Sequence, residues 1–299
     1  MNVFRTKYLY QEACRNSPDV REMTDEELSR LKRHLLGMYK EIEAVCKRNN
    51  LSVMLAYGSV LGSVRHGGFI PWDDDMDLFM PRKDYELFIN RFANELPEHL
   101  KVYAPNSKNR PLVRFAKVVD TKTKILSAGA DDMGKASQGI FVDIFPLDNV
   151  SGSPIGIKVK RFVSKVLMYI GSSVGRFQAN SVSYRKLMMT SMPARINYWL
   201  RMLLGFCFSF WGYHKWMNIL DSYCKGNSSD QFMADIMGFH GWMPVPKEKY
   251  VPAVVGKFEG VEVLLPHDTI GHLQRTYGDW ETIPPLDKRY RHFIHDIKF

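Results

Sequence analysis

Leu28, Leu31, Leu35, Tyr39, Ile42, Val45 and Cys46 recur at steps of three and four, the period of a helix that turns one face to a core. Thr24-Asp25-Glu26-Glu27 stands directly before them. Thr24 can cap a first-turn amide while Glu27 reaches back, so the spacing predicts a helix from here to Asn49-Asn50. Met1 to Met23 shows no clear periodicity. Leu51 to Ala56 reads as a short buried strand, and Val60 to Arg65 as a helical turn. A strand over Asp75 to Met80 follows, ended by Pro81, which suits the first turn of a helix carrying Tyr85, Phe88, Ile89 and Phe92 inward. Further strands are predicted at Lys101 to Ala104, Leu112 to Val119 and Gly139 to Asp148, with a loop at Asp131 to Ala136. Phe258 to Pro266 reads as a hairpin with a tight Glu-Gly turn. A short helix from His267-Asp268 to Tyr277, a rigid loop through Pro284-Pro285 and a basic tail from Lys288 to His292 complete the chain.

The middle has a different texture. Lys158, Arg161 and Lys165 fall on one helical face, and Val159, Phe162, Val163, Val166 and Ile170 on another. That is a basic amphipathic helix suited to a membrane surface. Residues 198–216 are rich in aromatics but interrupted by Arg201, too short and mixed for a membrane span. An ordinary helical subdomain packed on the core fits the same pattern. Residues 151–225 hold eleven Lys/Arg against Asp221 alone. That stretch carries +10, so the net charge of +9 leaves −1 for everything else. The basic character is local and is no general sign of nucleic-acid binding.

With 299 residues and 45% hydrophobic content, the chain can bury a large core, and wholesale disorder is excluded. Four scattered cysteines with no CxxC pair imply neither a structural zinc site nor a disulfide framework. The first fifteen residues lack an apolar core region, so no secretory signal is expected, and the expected location is cytoplasmic.

The candidate chemistry lies in Ala56 to Asp84. On a strand, Asp75 and Asp77 share a face with the parity of Asp73, while Asp74 points away and should tolerate substitution best. Two carboxylates on one face repel unless a proton or cation lies between them, and a divalent metal is the reading adopted. A solvated acidic loop is the alternative. Gly58-Ser59 sits between strand and helix, where amides and a hydroxyl can meet a phosphate, or simply form a turn. Arg65 and His66 lie close enough in sequence to neutralise phosphate, though His66 also fits an exposed loop. Asp143 is a lone carboxylate in an apolar strand. Such a group needs a partner: either a nearby cation, or the same metal as Asp75 and Asp77.

Gly58-Ser59, Asp75-x-Asp77 and the later Asp143 together resemble the polymerase beta-type nucleotidyltransferase layout. More narrowly, LGSVRHGGFIPWDDDMDLFMPRKDYE resembles the central motif of the LicD/fukutin-family phosphotransferases. GIFVDIFPLD, FEGVEVLLP and YGDWETIPP resemble further blocks of that family, and the likeness runs from about Val45 to His292, weakest over 151–225. The resemblance implies an α+β fold: a nucleotidyltransferase-like mixed sheet flanked by helices, with an inserted, mainly helical basic segment. The expected parts are a catalytic core over 1–150, the helical segment over 151–228 and a C-terminal part over 229–299 that completes the site. It implies Mg²⁺-dependent, or Mn²⁺-dependent, transfer of a phospho-substituent from a CDP-linked donor such as CDP-choline to a glycan or lipid-linked glycan, at the inner face of a membrane. Asp75, Asp77 and Asp143 would be catalytic ligands with Asp73 helping, and Gly58, Ser59, Arg65 and Lys117 would hold nucleotide or phosphate. His66, Trp72, Arg114 and Asp279 are candidate substrate contacts. A nucleotidyltransferase acting on a small molecule, and a non-catalytic membrane-associated assembly protein, are the competing readings.

Overall fold

The computed structural model describes residues 6–105, 113–128, 138–227, 230–238, 243–286, 289 and 291–299. Helix α1 (Thr6–Arg15) precedes α2 (Asp25–Arg48). The capping box forms as expected: Thr24 Oγ1 accepts from the Glu27 amide at 3.2 Å, and Glu27 accepts from the Thr24 amide at 2.8 Å. Arg21 pairs with Glu27 and holds its carboxyl down at about 2. The seven apolar positions of the pattern are buried along α2, and the helix ends at Asn49.

Strand β1 (Met54–Leu55), helix α3 (Tyr57–His66), strand β2 (Asp77–Pro81) and helix α4 (Arg82–Leu87) follow. The expected strand over Leu51 to Ala56 shrinks to two residues. Gly58 and Ser59 lie inside the first turn of α3, which begins at Tyr57, itself at a left-handed φ of 42°. Residues 73–76 are not strand, and β2 begins only at Asp77.

The next strands are β3 (Leu100–Tyr103), β4 (Ala116–Asp120), β5 (Lys124–Ser127) and the long β6 (Ile140–Val150). The expected strand over Leu112 to Val119 is displaced to β4, and its first residue lies outside the described residues, as does the loop expected at Asp131 to Ala136. Helices α5 (Pro154–Ala179), α6 (Val182–Met188), α7 (Met192–Cys207) and α8 (Tyr213–Cys224) form the basic segment. Then come β7 (Phe232–Ala234), β8 (Val245–Pro246), β9 (Val254–Phe258), β10 (Val261–Leu265), α9 (Thr269–Tyr277) and β11 (Ile294–Lys298). Glu259 and Gly260 turn the β9–β10 hairpin, both with positive φ, as a two-residue hairpin loop requires.

Among the described residues, one mixed sheet of seven strands runs β1-β2-β6-β4-β3, with β7 and β8 added beside the far end of β6. β2 and β6 are parallel, and the other pairs in the sheet are antiparallel. Alternation divides the core between two faces. Leu78, Met80, Val142 and Ile144 pack with α2, the β9–β10 hairpin and α9. Phe79, Phe115, Phe145 and Leu147 pack with α5 and α8 through Val174, Trp216 and Leu220. The architecture is therefore a mixed α+β sheet with helices on both faces.

Candidate active site

The strand register sets the site. Asp77 of β2 stands opposite Asp143 of β6, and Asp143 stands opposite Lys117 of β4. Three charged side chains thus form one row across three central strands. By parity they share the sheet face of Phe79, Phe145 and Phe115. Lys117 Nζ lies 2.5 Å from Asp143 Oδ1 and 3.6 Å from the centre of the Phe141 ring. The partner that a carboxylate in an apolar strand demands is therefore this lysine, which the sequence reading had offered to a phosphate instead.

Asp73 and Asp75 approach this row from the loop before β2. Their carboxyls lie close enough to influence each other's ionisation. Burial pushes the Asp73 and Asp77 carboxyls well above the usual carboxylate range, and the neighbouring aspartates push them further. Burial also raises Asp75, with His292 pulling the other way. Asp73, Asp75, Asp77 and Asp143 therefore concentrate more negative charge than Lys117 alone offsets.

Asp74 does not point idly to solvent. It is buried, accepts from the His292 amide at 2.7 Å, and pairs with His292 Nδ1 at 2.7 Å. Asp74, followed by the other acids nearby, lifts the His292 imidazole to about 10, so it is an imidazolium at neutral pH. The parity argument failed here because it needs a strand, and residues 73–76 are not in one. Asp74, Asp75 and His292 offer ligand atoms within 4.8 Å of one another. Asp74 and His292 already satisfy each other, however, whereas Asp75 and Asp77 are buried among further aspartates.

The motif loop is held from three directions. Lys32 of α2 donates to the Ile70 and Pro71 carbonyls at 2.8 and 2.9 Å. Glu259 in the hairpin turn accepts from the Phe69 amide at 3.0 Å and donates its own amide to Gly67. Ser63 Oγ donates to the Lys257 carbonyl at 2.7 Å. Sequence reasoning assigned no role to Lys32, Glu259, His292 or Tyr277, the last of which feels Asp73, Asp77 and Asp75. Each acts across a long sequence separation and carries no local signal.

The remaining candidates divide. Gly58 lies against Asp73: a Cβ there would stand 2.7 Å from Asp73 Oδ2. Ser59 Oγ accepts from the Asp77 amide at 3.0 Å, fixing the start of β2. Arg65 spans to the C-terminal loop, donating to the Trp280 carbonyl at 2.7 Å, and burial lowers its pKa. His66 accepts from Arg65 Nε, stands edge-on to Trp72, and is lowered by burial. Trp72 carries Arg289 over its ring at 4.4 Å. Arg114 sits before β4 and donates toward Met168 of α5; burial pushes it down to about 10. Asp279 is exposed and accepts from the Thr282 amide at 3.3 Å. The structure thus gathers Gly58, Ser59, Asp73, Asp75, Asp77, Lys117 and Asp143, and ties Arg65, His66 and Trp72 to the C-terminal loop.

Residues 50–158 match the family model described as LicD/FKTN/FKRP, nucleotidyltransferase domain. The chain is also 27% identical over 267 residues to the lipopolysaccharide cholinephosphotransferase LicD of Haemophilus influenzae, covering 87% of this chain and 94% of that protein. Residues 50–158, and more loosely most of the chain, are therefore similar to the LicD family. Shorter likenesses, 36% over 50 residues, reach uncharacterized proteins of Rickettsia prowazekii and Rickettsia typhi, covering 17% of this chain and 19% and 16% of theirs. The LicD match spans β1 to the first turns of α5, so it contains the whole Asp77–Asp143–Lys117 row and its flanking aspartates. His292 lies beyond it.

Proposed function

We propose that this chain is a LicD-type phosphotransferase that moves a phosphocholine-like or phospho-alditol group from a CDP-linked donor to a cell-surface glycan or glycolipid. The observation that carries the reading is the Asp77–Asp143–Lys117 row with Asp73 and Asp75 beside it, inside the segment that matches LicD. The donor set is all hard oxygen, which suits Mg²⁺ or Mn²⁺, and burial makes the surplus charge costly without a cation. Asp75, Asp77 and Asp143 would hold such an ion, with Asp73 in support; bound there, it would draw charge from the phosphate oxygens. The polymerase beta-type layout is part of the same reading.

The chain's own groups do the rest. Lys117 pairs with Asp143 and holds it in place. Ser59 fixes Asp77 on the strand, and Gly58 leaves room for the Asp73 carboxylate. Positioning and charge stabilisation are what transfer at phosphorus chiefly requires. The location that goes with this reading is the inner face of a membrane, next to a lipid-carried acceptor.

The test is release of CMP from CDP-choline with Mg²⁺, with and without lipopolysaccharide as acceptor. Asp77→Asn and Asp143→Asn are expected to lower turnover by about a hundredfold or more, as loss of a charge-stabilising group does, and chelation should abolish it. Pyrophosphate release from CTP instead of CMP release would point to nucleotidyl transfer. No turnover and no binding of any nucleotide would leave a non-catalytic assembly protein.

A further inference from the structure

Helices α5 and α7 carry their apolar residues on the wrong side for a soluble bundle. On α7, Ala194, Asn197, Tyr198, Arg201 and Gly205 face inward. Arg201 is buried, donates to Ser172 Oγ at 3.0 Å and lies 4.5 Å over the Tyr169 ring. The opposite face, Ile196, Trp199, Leu203 and Phe206, looks outward, with Trp199 60% and Phe206 66% exposed. Polar groups are thus inside and large apolar groups outside, the reverse of ordinary amphipathic burial.

The first half of α5 repeats this. Ile155, Val159, Phe162 and Val166 form one stripe by spacing, all exposed, Phe162 at 69%. The stripe continues along the helix as Tyr169, Ser173 and Phe177. There α7 covers it: Arg201 lies on Tyr169, and a Cβ at Gly205 would meet Phe177 and the Ser173 carbonyl at 2.4 and 2.6 Å. The α5 stripe therefore points toward α7, and the outer face of α7 points away from α5. Both apolar stripes look to the same side of the molecule.

What covers this side is fixed by its charge. Lys158, Arg161 and Lys165 flank the α5 stripe, and Arg185, Lys186 and Arg195 are exposed on α6 and α7. No Asp or Glu occurs between Ser151 and Leu220. A second copy meeting this face would bring one cationic rim against another. Among the described residues, no helix is long and apolar enough to cross a membrane. An apolar stripe with Trp and Phe on a segment whose own charges are all basic fits a surface that is apolar below and anionic at its edge.

We infer that the outer faces of α5 and α7 form an interfacial docking surface for an anionic lipid bilayer, lying in the headgroup plane. The experiment is flotation of the full chain with phosphatidylcholine vesicles, with and without phosphatidylglycerol. Binding is expected only with the anionic lipid, weakening as salt rises. Phe162→Ser with Leu203→Ser should weaken it by at least tenfold, while circular dichroism and CMP release from the water-soluble donor stay unchanged. Lys158→Gln with Lys165→Gln should weaken binding and flatten its salt dependence. Asp77→Asn should float like the parent chain, which separates this surface from the catalytic reading. Absence of flotation at low salt would overturn the inference. So would a dimer in solution that Phe162→Ser with Leu203→Ser converts to monomer, because the face would then belong to a second copy.

Discussion

Asp235 lies buried beside the residue that starts α3: Tyr57 OH donates to its Oδ2, and the Gly238 amide donates to Oδ1 at 2.8 Å. Burial nonetheless pushes its carboxyl up to about 7. The folded chain then holds a proton at Asp235 between about pH 4 and 7 that the unfolded chain has released. With the folded pKa above the unfolded one, stability falls as pH rises through that window and is level above it. Asp235→Asn should flatten this slope in urea titrations at pH 4.5, 5.5 and 7. A variant slope equal to that of the parent would mean another group carries it. Asp77 and Asp143 could be read from sequence because a carboxylate among apolar strand residues must have a reason to be there. Asp74 could not: its role comes from His292, 218 residues away.

The elements differ in the same way. The α2 cap and face, the β9–β10 turn and the Pro81 boundary were legible because each is fixed by residues within a turn or two. β5 and β11 were not, because Lys124–Ser127 becomes a strand only by pairing with Ile294–Lys298. α1 was missed for a related reason: its buried residues meet α6 and α7, not a local neighbour. The junction of α3 with the acidic loop is the element on which catalysis should depend. Gly58→Ala adds a helix-favouring methyl, worth up to about 1 kcal/mol, in the first turn of α3. The same methyl meets Asp73 Oδ2 at 2.7 Å and must displace that carboxylate. The thermal midpoint should hold or rise while CMP release falls at least tenfold, since small misplacements in such a site are expensive. Equal activity in the two forms would remove Asp73 from the site.

For the whole molecule, one buried cation links the central sheet to the basic helices. Arg82, at the start of α4, donates through Nε to Asp148 of β6 at 2.6 Å and through Nη1 to Asp221 of α8 at 2.8 Å. Asp148 is fully buried and lies five residues beyond Asp143 on the same strand. Asp221 is the acid that breaks the otherwise basic helical segment, and this contact is the reason the sequence has it there. Lys225 adds a second tie, reaching Glu86 at 2.6 Å and Asp221 at 3.4 Å. Replacing one member of a buried charge cluster costs more than the cluster contributes, because the others stay buried without a counter-charge. Arg82→Met should therefore lower stability by about 3–5 kcal/mol in chemical denaturation. Arg82→Met with Asp148→Leu and Asp221→Leu should recover most of that loss, since no uncompensated carboxylate remains. Hydrogen exchange on Arg82→Met should show α8 losing protection before β6, the order expected when the tie between helices and sheet is what has been cut. Simultaneous loss in both, with no recovery in the triple variant, would show that Arg82 supports the sheet itself.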